Sequence, residues 1–87
     1  MTFRIVRDVG EGRTTLHLIG RMRAEYIEAV RAEIAKSRGP TVLDLDELTL
    51  ADIDAVRFLV AIEPEGVVVE HCAPFIREWM AKEGGRR

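Results

Sequence analysis

A chain of 87 residues, 47% apolar and 32% charged, has room for one compact domain and none for a catalytic domain beside a regulatory one. This usage excludes a disordered tail, a collagen-like repeat and a disulfide scaffold, and the single cysteine, Cys72, excludes an internal disulfide. Thirteen Lys and Arg against fifteen Asp and Glu give a net charge of -2 with no basic stripe, which argues against a nucleic-acid partner.

Residues 3–7 alternate apolar and polar side chains, two glycines follow at 10 and 12, and residues 14–20 resume an extended pattern. The expectation is two strands joined by a glycine turn. From 23 to 37 the period changes: Ile27, Val30 and Ile34 recur at three and four with Tyr26 beside them, while Glu25, Glu28, Arg31 and Lys36 take other faces. An amphipathic helix is predicted, stopped by Arg38, Gly39 and Pro40. Residues 41–46 read as a strand with Leu43 and Leu45 on one face and Val42, Asp44 and Asp46 on a partly wet one.

Asp52 is placed as the N-cap of a second helix over 53–62, whose narrow polar strip requires heavy burial. Pro64 and Gly66 end it, residues 67–71 form the next strand, and 73–82 a last helix with Phe75, Ile76, Trp79 and Met80 at packing spacing. Residues 83–87 are expected to fray. The reading is an α/β fold: one small domain over 1–87, an N-terminal β-hairpin followed by right-handed β-α units, with about four strands and three helices. No apolar stretch approaches the ~20 residues that span a bilayer, and the opening residues hold no signal-peptide core, so a cytoplasmic protein without membrane insertion is expected.

Residues 42–59, Val-Leu-Asp-Leu-Asp-Glu-Leu-Thr-Leu-Ala-Asp-Ile-Asp-Ala-Val-Arg-Phe-Leu, resemble the central signature of the STAS family, named for sulfate transporters and anti-sigma factor antagonists. In that family the run reads roughly V-L-D-L-S-x-V-T-F-I-D-S-S-G-L-x-x-L. Residues 18–22 are similar to the family's entry into its first helix, and 66–77 to its later strand and the start of the next helix, so the resemblance spans about 3–82. It implies a STAS-like bacterial module of signalling and transcription regulation that binds proteins and catalyses nothing.

The departure lies in the tetrad D-S-S-G, whose serine a partner kinase modifies in phosphorylatable members. Here it is Asp52, Ile53, Asp54, Ala55, with Asp54 at the acceptor position, so the usual switch is not expected. Asp54 either imitates a phosphoserine with one charge in place of nearly two, or is an acidic residue favoured by the helix dipole by ~0.3–1 kcal/mol. The implied partner surface is the loop 48–51 with Thr49, then Asp52, Ile53, Asp54, Ala55 and Arg57. The implied partner is an anti-sigma factor or kinase-like protein; the alternative is an ABC-transporter ATPase that the module serves as accessory subunit. Oligomeric state stays open, a homodimer included.

Other chemistry is sparse. His71 and Cys72 are adjacent, but neighbours in a strand point to opposite faces, so no thiolate-imidazolium pair is expected from spacing. Two histidines and one cysteine lack zinc spacing, and the glycines form neither a dinucleotide motif nor a phosphate loop, so no metal and no cofactor is predicted. Were strands 2 and 3 neighbours, His17 would share a face with Asp44 as a hydrogen-bonded pair. A small enzyme using Cys72 or His17 is the remaining alternative of another class. Thr49 is a weak candidate for phosphorylation, and the stripe of Trp79, Phe75 and Met80 reads as core or as an oligomer contact.

Overall fold

The alternation in residues 3–22 builds an antiparallel hairpin, β1 (Phe3–Gly10) with β2 (Arg13–Met22), paired without interruption from Phe3↔Gly20 to Gly10↔Arg13. Gly12 closes the turn at φ +75°, a conformation that costs glycine nothing. The structure is a computed structural model that describes residues 3–37 and 39–84. A short 3₁₀ turn, Ala24–Tyr26, leads into α1 (Ile27–Lys36), followed by β3 (Thr41–Asp44), β4 (Leu48–Ala51), α2 (Ile53–Ile62), a second 3₁₀ turn at Glu63–Glu65, β5 (Val67–Glu70) and α3 (Pro74–Gly84).

The sheet runs β1-β2-β3-β5, with β4 beside the C-terminal half of β2. β2 pairs in parallel with β3 from Thr14↔Thr41 to His17↔Asp44, and β3 in parallel with β5 from Thr41↔Val67 to Asp44↔Glu70. Successive right-handed crossovers that advance in one direction put their helices on one face. Accordingly Val30 of α1, Val56, Phe58 and Leu59 of α2, and Ile76 and Met80 of α3 join Leu16, Leu18, Leu43 and Val69 in one buried cluster. Period-two alternation places Arg4, Val6, Asp8, Thr15, His17, Ile19, Val42, Asp44, Val68 and Glu70 on the opposite face, which no helix covers among the described residues. Val42 is nonetheless buried, flanked across the sheet by Thr15 and Val68.

The structure corrects the sequence reading of the elements at five places. A fifth strand, β4, replaces the expected loop at 48–51: it pairs in parallel with β2 from Gly20↔Leu48 to Met22↔Ala51, with a register shift between Gly20 and Arg21. β3 stops at Asp44 because the chain turns, with Asp44 Oδ1 accepting from Asp46 N at 3.0 Å and Leu45 O from Leu48 N at 3.0 Å. β5 stops at Glu70 because His71 takes a left-handed φ of +57°. Phe75, expected to pack, is 52% exposed. Glu83 and Gly84 are helical rather than frayed, and the rest of the expected tail, 85–87, lies outside the described residues, as does Arg38.

Candidate functional site

The segment that resembles the family signature folds as β3, a turn, β4 and α2, and Asp52 is the joint between β4 and α2. Its backbone is extended (φ -85°, ψ 178°), Oδ1 accepts from Ala55 N at 2.9 Å as an N-cap, and Oδ2 accepts from Ala24 N at 2.9 Å. Its own N–H donates to Met22 O at 3.1 Å, so one residue ties the start of α2 to the end of β2. The carboxylate expected at the partner surface is thus committed to two backbone N–H groups.

Within β4, Leu48 and Ala51 turn into the core while Thr49 and Leu50 are exposed, and the Thr49 hydroxyl donates to Gly20 O at 3.1 Å. Ile53 is half-buried and Asp54 is exposed in the first turn of α2. Ala55 is 0% exposed, which corrects its place among the contact residues: its methyl belongs to the core, where the family glycine would leave no side chain. Arg57 is exposed, and its Nε donates to Glu83 Oε1 at 3.1 Å. Together with Val60 and Ala61 this ion pair lines an open groove of about 340 Å³. Glu83 was not legible as a partner of Arg57, because the pair is 26 residues apart and no local pattern joins them. The exposed surface at this end of α2 is therefore Thr49, Leu50, Asp54 and Arg57, with Ile53 at its margin.

A second polar cluster sits on the helix-free face. The β2–β3 register brings His17 beside Asp44, as expected for neighbouring strands, with Nδ1 3.5 Å from Oδ2. His71, turned by its left-handed backbone, adds its Nδ1 at 3.1 Å from Oδ1. Burial works to raise the Asp44 pKa, but the Asp46 N–H, the His71 ring and the charges of both histidines outweigh it and hold the carboxyl below its ordinary value. A carboxyl lowered in the folded state binds fewer protons than in the unfolded chain, so its stabilisation is present above the ordinary aspartate value and is lost as pH falls through the folded one. The expected result is a loss of stability below about pH 4 that is partly abolished in Asp44→Asn, read by urea denaturation at a series of pH values. An Asn variant with the acid slope of the parent would contradict this role.

Cys72 is half-buried against the core and burial, the largest influence, pushes its thiol up, opposed by Arg77 and assisted by Glu63. A raised thiol is a poorer source of thiolate at neutral pH. Among the described residues no group of three or more His, Cys, Asp or Glu is placed to hold a metal ion, and no helix is long and apolar enough to cross a membrane.

The architecture is a STAS-like, SpoIIAA-like fold: a small α/β domain with three helices and a five-stranded mixed sheet. One similar solved structure, described as the anti-sigma factor antagonist SpoIIAA in its unphosphorylated form, superposes with a TM-score of 0.70 at 17% identity, over 95% of this chain and 81% of that one. A STAS-domain anti-sigma factor antagonist from Rhodobacter sphaeroides gives 0.57 at 17% identity, over 78% of this chain and 83% of its own. An uncharacterized protein of the DUF3478 family with a SpoIIAA-like fold, from Shewanella loihica, gives 0.53 at 13% identity, over 94% and 75%. No protein-family model matches the chain, and no curated protein does.

Proposed function

We propose that this domain is a non-catalytic, protein-binding regulatory module of the anti-sigma factor antagonist type, silent to phosphorylation at the usual serine position. The observation that carries the reading is Asp54: an exposed carboxylate in the first turn of α2, at the place the resemblance gives to the acceptor serine, beside the exposed Thr49 and Leu50. The likeness in fold to two antagonist structures supports it. A kinase that transfers phosphate to a serine hydroxyl finds a carboxylate there. The raised thiol of Cys72 and the engagement of both histidines with Asp44 support a domain without catalysis.

The test is incubation with the anti-sigma kinase of the source cell and ATP, followed by mass spectrometry. No modification is expected between Leu48 and Leu59, whereas Asp54→Ser, which supplies a hydroxyl at the same exposed position, should gain one phosphate. Phosphate on Thr49 of the parent protein would overturn phosphorylation silence. Affinity capture of the untagged protein's complex from its own cells addresses the partner: a kinase-like anti-sigma factor supports the reading, and an ABC-type ATPase would replace it with an accessory-subunit role. In either case Asp54→Asn should shift folding stability by no more than about 1 kcal/mol, since an exposed acid in a first helical turn contributes about that much.

A further inference from the structure

β1 forms one end of the sheet, and its outer edge carries a pattern that is complementary to itself. Only residues 11 and 12 separate Gly10 from Arg13, so that closing pair must be the doubly hydrogen-bonded kind. Counting back in twos, Asp8, Val6 and Arg4 direct their main-chain groups to β2. Phe3, Ile5, Arg7 and Val9 direct theirs to the free edge. Two of the usual guards of an edge are missing: residues 3–10 contain no proline, and their pairing with β2 has no bulge.

An antiparallel copy can meet this edge only in registers that oppose odd residues to odd ones, because only those have free N–H and C=O groups. Centred on Ile5, such a pairing sets Arg4 against Val6 and Phe3 against Arg7. Centred on Arg7, it sets like charges against each other. Centred on Val6, it sets Arg4 of each copy against Asp8 of the other, twice by symmetry. Arg4, Val6 and Asp8 share the helix-free face, in non-hydrogen-bonded positions where opposed side chains come closest. The same register sets Val9, 69% exposed, against Phe3, which already stacks on Tyr26 with ring centroids 4.8 Å apart. Arg7, which would fall opposite Ile5, is drawn aside onto Glu33 at 3.0 Å. Charges placed merely to protect an edge repel a second copy when they share one sign; here opposite signs stand at symmetric positions and attract one.

We propose that two copies of this chain associate through antiparallel pairing of their β1 strands about a two-fold axis at Val6, continuing one sheet across both. The interface is separate from the exposed end of α2 and does not rest on the function proposed above. Sedimentation equilibrium of the full chain should show a reversible dimer. Arg4→Asp and Asp8→Arg should each weaken it about tenfold or more, because each turns two cross-strand attractions into repulsions. The double exchange Arg4→Asp with Asp8→Arg should restore it. Amide hydrogen exchange gives an independent readout: with rising concentration the N–H groups of Ile5, Arg7 and Val9 should become protected, while those of Val6 and Asp8, already bonded to β2, should be slow throughout. A chain that stays monomeric up to about 1 mM overturns the proposal, since affinity weaker than that is negligible. So does a dimer that both single variants leave unchanged.

Discussion

Phe58→Ala is expected to leave the protein largely unfolded at room temperature. Phe58 is 5% exposed in the middle of α2, inside the cluster that joins all three helices to the sheet, and the Arg31 guanidinium of α1 lies over its ring at 5.1 Å from the centroid. Truncating such a ring costs about 3–5 kcal/mol, through lost transfer energy and the cavity left behind. A domain of this length holds only about 4–13 kcal/mol in total, so the loss takes a large part of the stability. α2 cannot slide to fill the cavity, because Asp52 holds its first turn. Phe58→Leu, which keeps most of the apolar volume, should retain a cooperative urea transition at lower midpoint. An Ala variant that melts within a few degrees of the parent would show that the ring is not part of the core.

The effect is legible in the sequence because α2 is read from local periodicity: Val56, Phe58, Leu59 and Ile62 recur with helical spacing after a capping aspartate, and all are buried. The same holds for the β1–β2 hairpin, set by alternation and two glycines. What local pattern did not reveal is what long-range pairing decides. β4 is four residues, Leu-Thr-Leu-Ala, too short to announce a strand by alternation, and it exists because the C-terminal half of β2 has no other neighbour on that side once β3 has ended. Phe75 reads as core by spacing, yet it falls on the outer side of α3, whose apolar face is filled by Ile76 and Met80. At the candidate site, the cap at Asp52 and the exposed acid at Asp54 follow from helix-start chemistry alone. The burial of Ala55, the second hydrogen bond, donated by Ala24 N to Asp52 Oδ2, and the Arg57–Glu83 pair depend on which elements the fold brings together, and nothing in the residue pattern states that.

Asp52→Ala should destabilise the domain by about 1–3 kcal/mol, more than an ordinary cap removal. Losing a side-chain N-cap costs about 1 kcal/mol on average and up to 2, and the Ala24 N–H is left without its protein acceptor as well. That second bond joins the β2–α1 connection to the start of α2, so its loss loosens two elements at once. Asp52→Asn separates the two contributions. Its single carbonyl oxygen can accept from Ala55 N, but the amide nitrogen in the place of Oδ2 cannot accept from Ala24 N, so this variant should fall between the parent and the alanine form. Equilibrium urea denaturation gives the ranking, and amide exchange locates it: Ala24 should lose protection in both variants, Ala55 only in Asp52→Ala. Partner affinity should follow the same order, because Asp52 acts on the surface of Thr49 and Asp54 by holding the strand-to-helix joint rather than by touching the partner. An alanine variant as stable as the parent, or an asparagine variant that keeps full stability yet loses partner binding, would show that the carboxylate serves the contact itself.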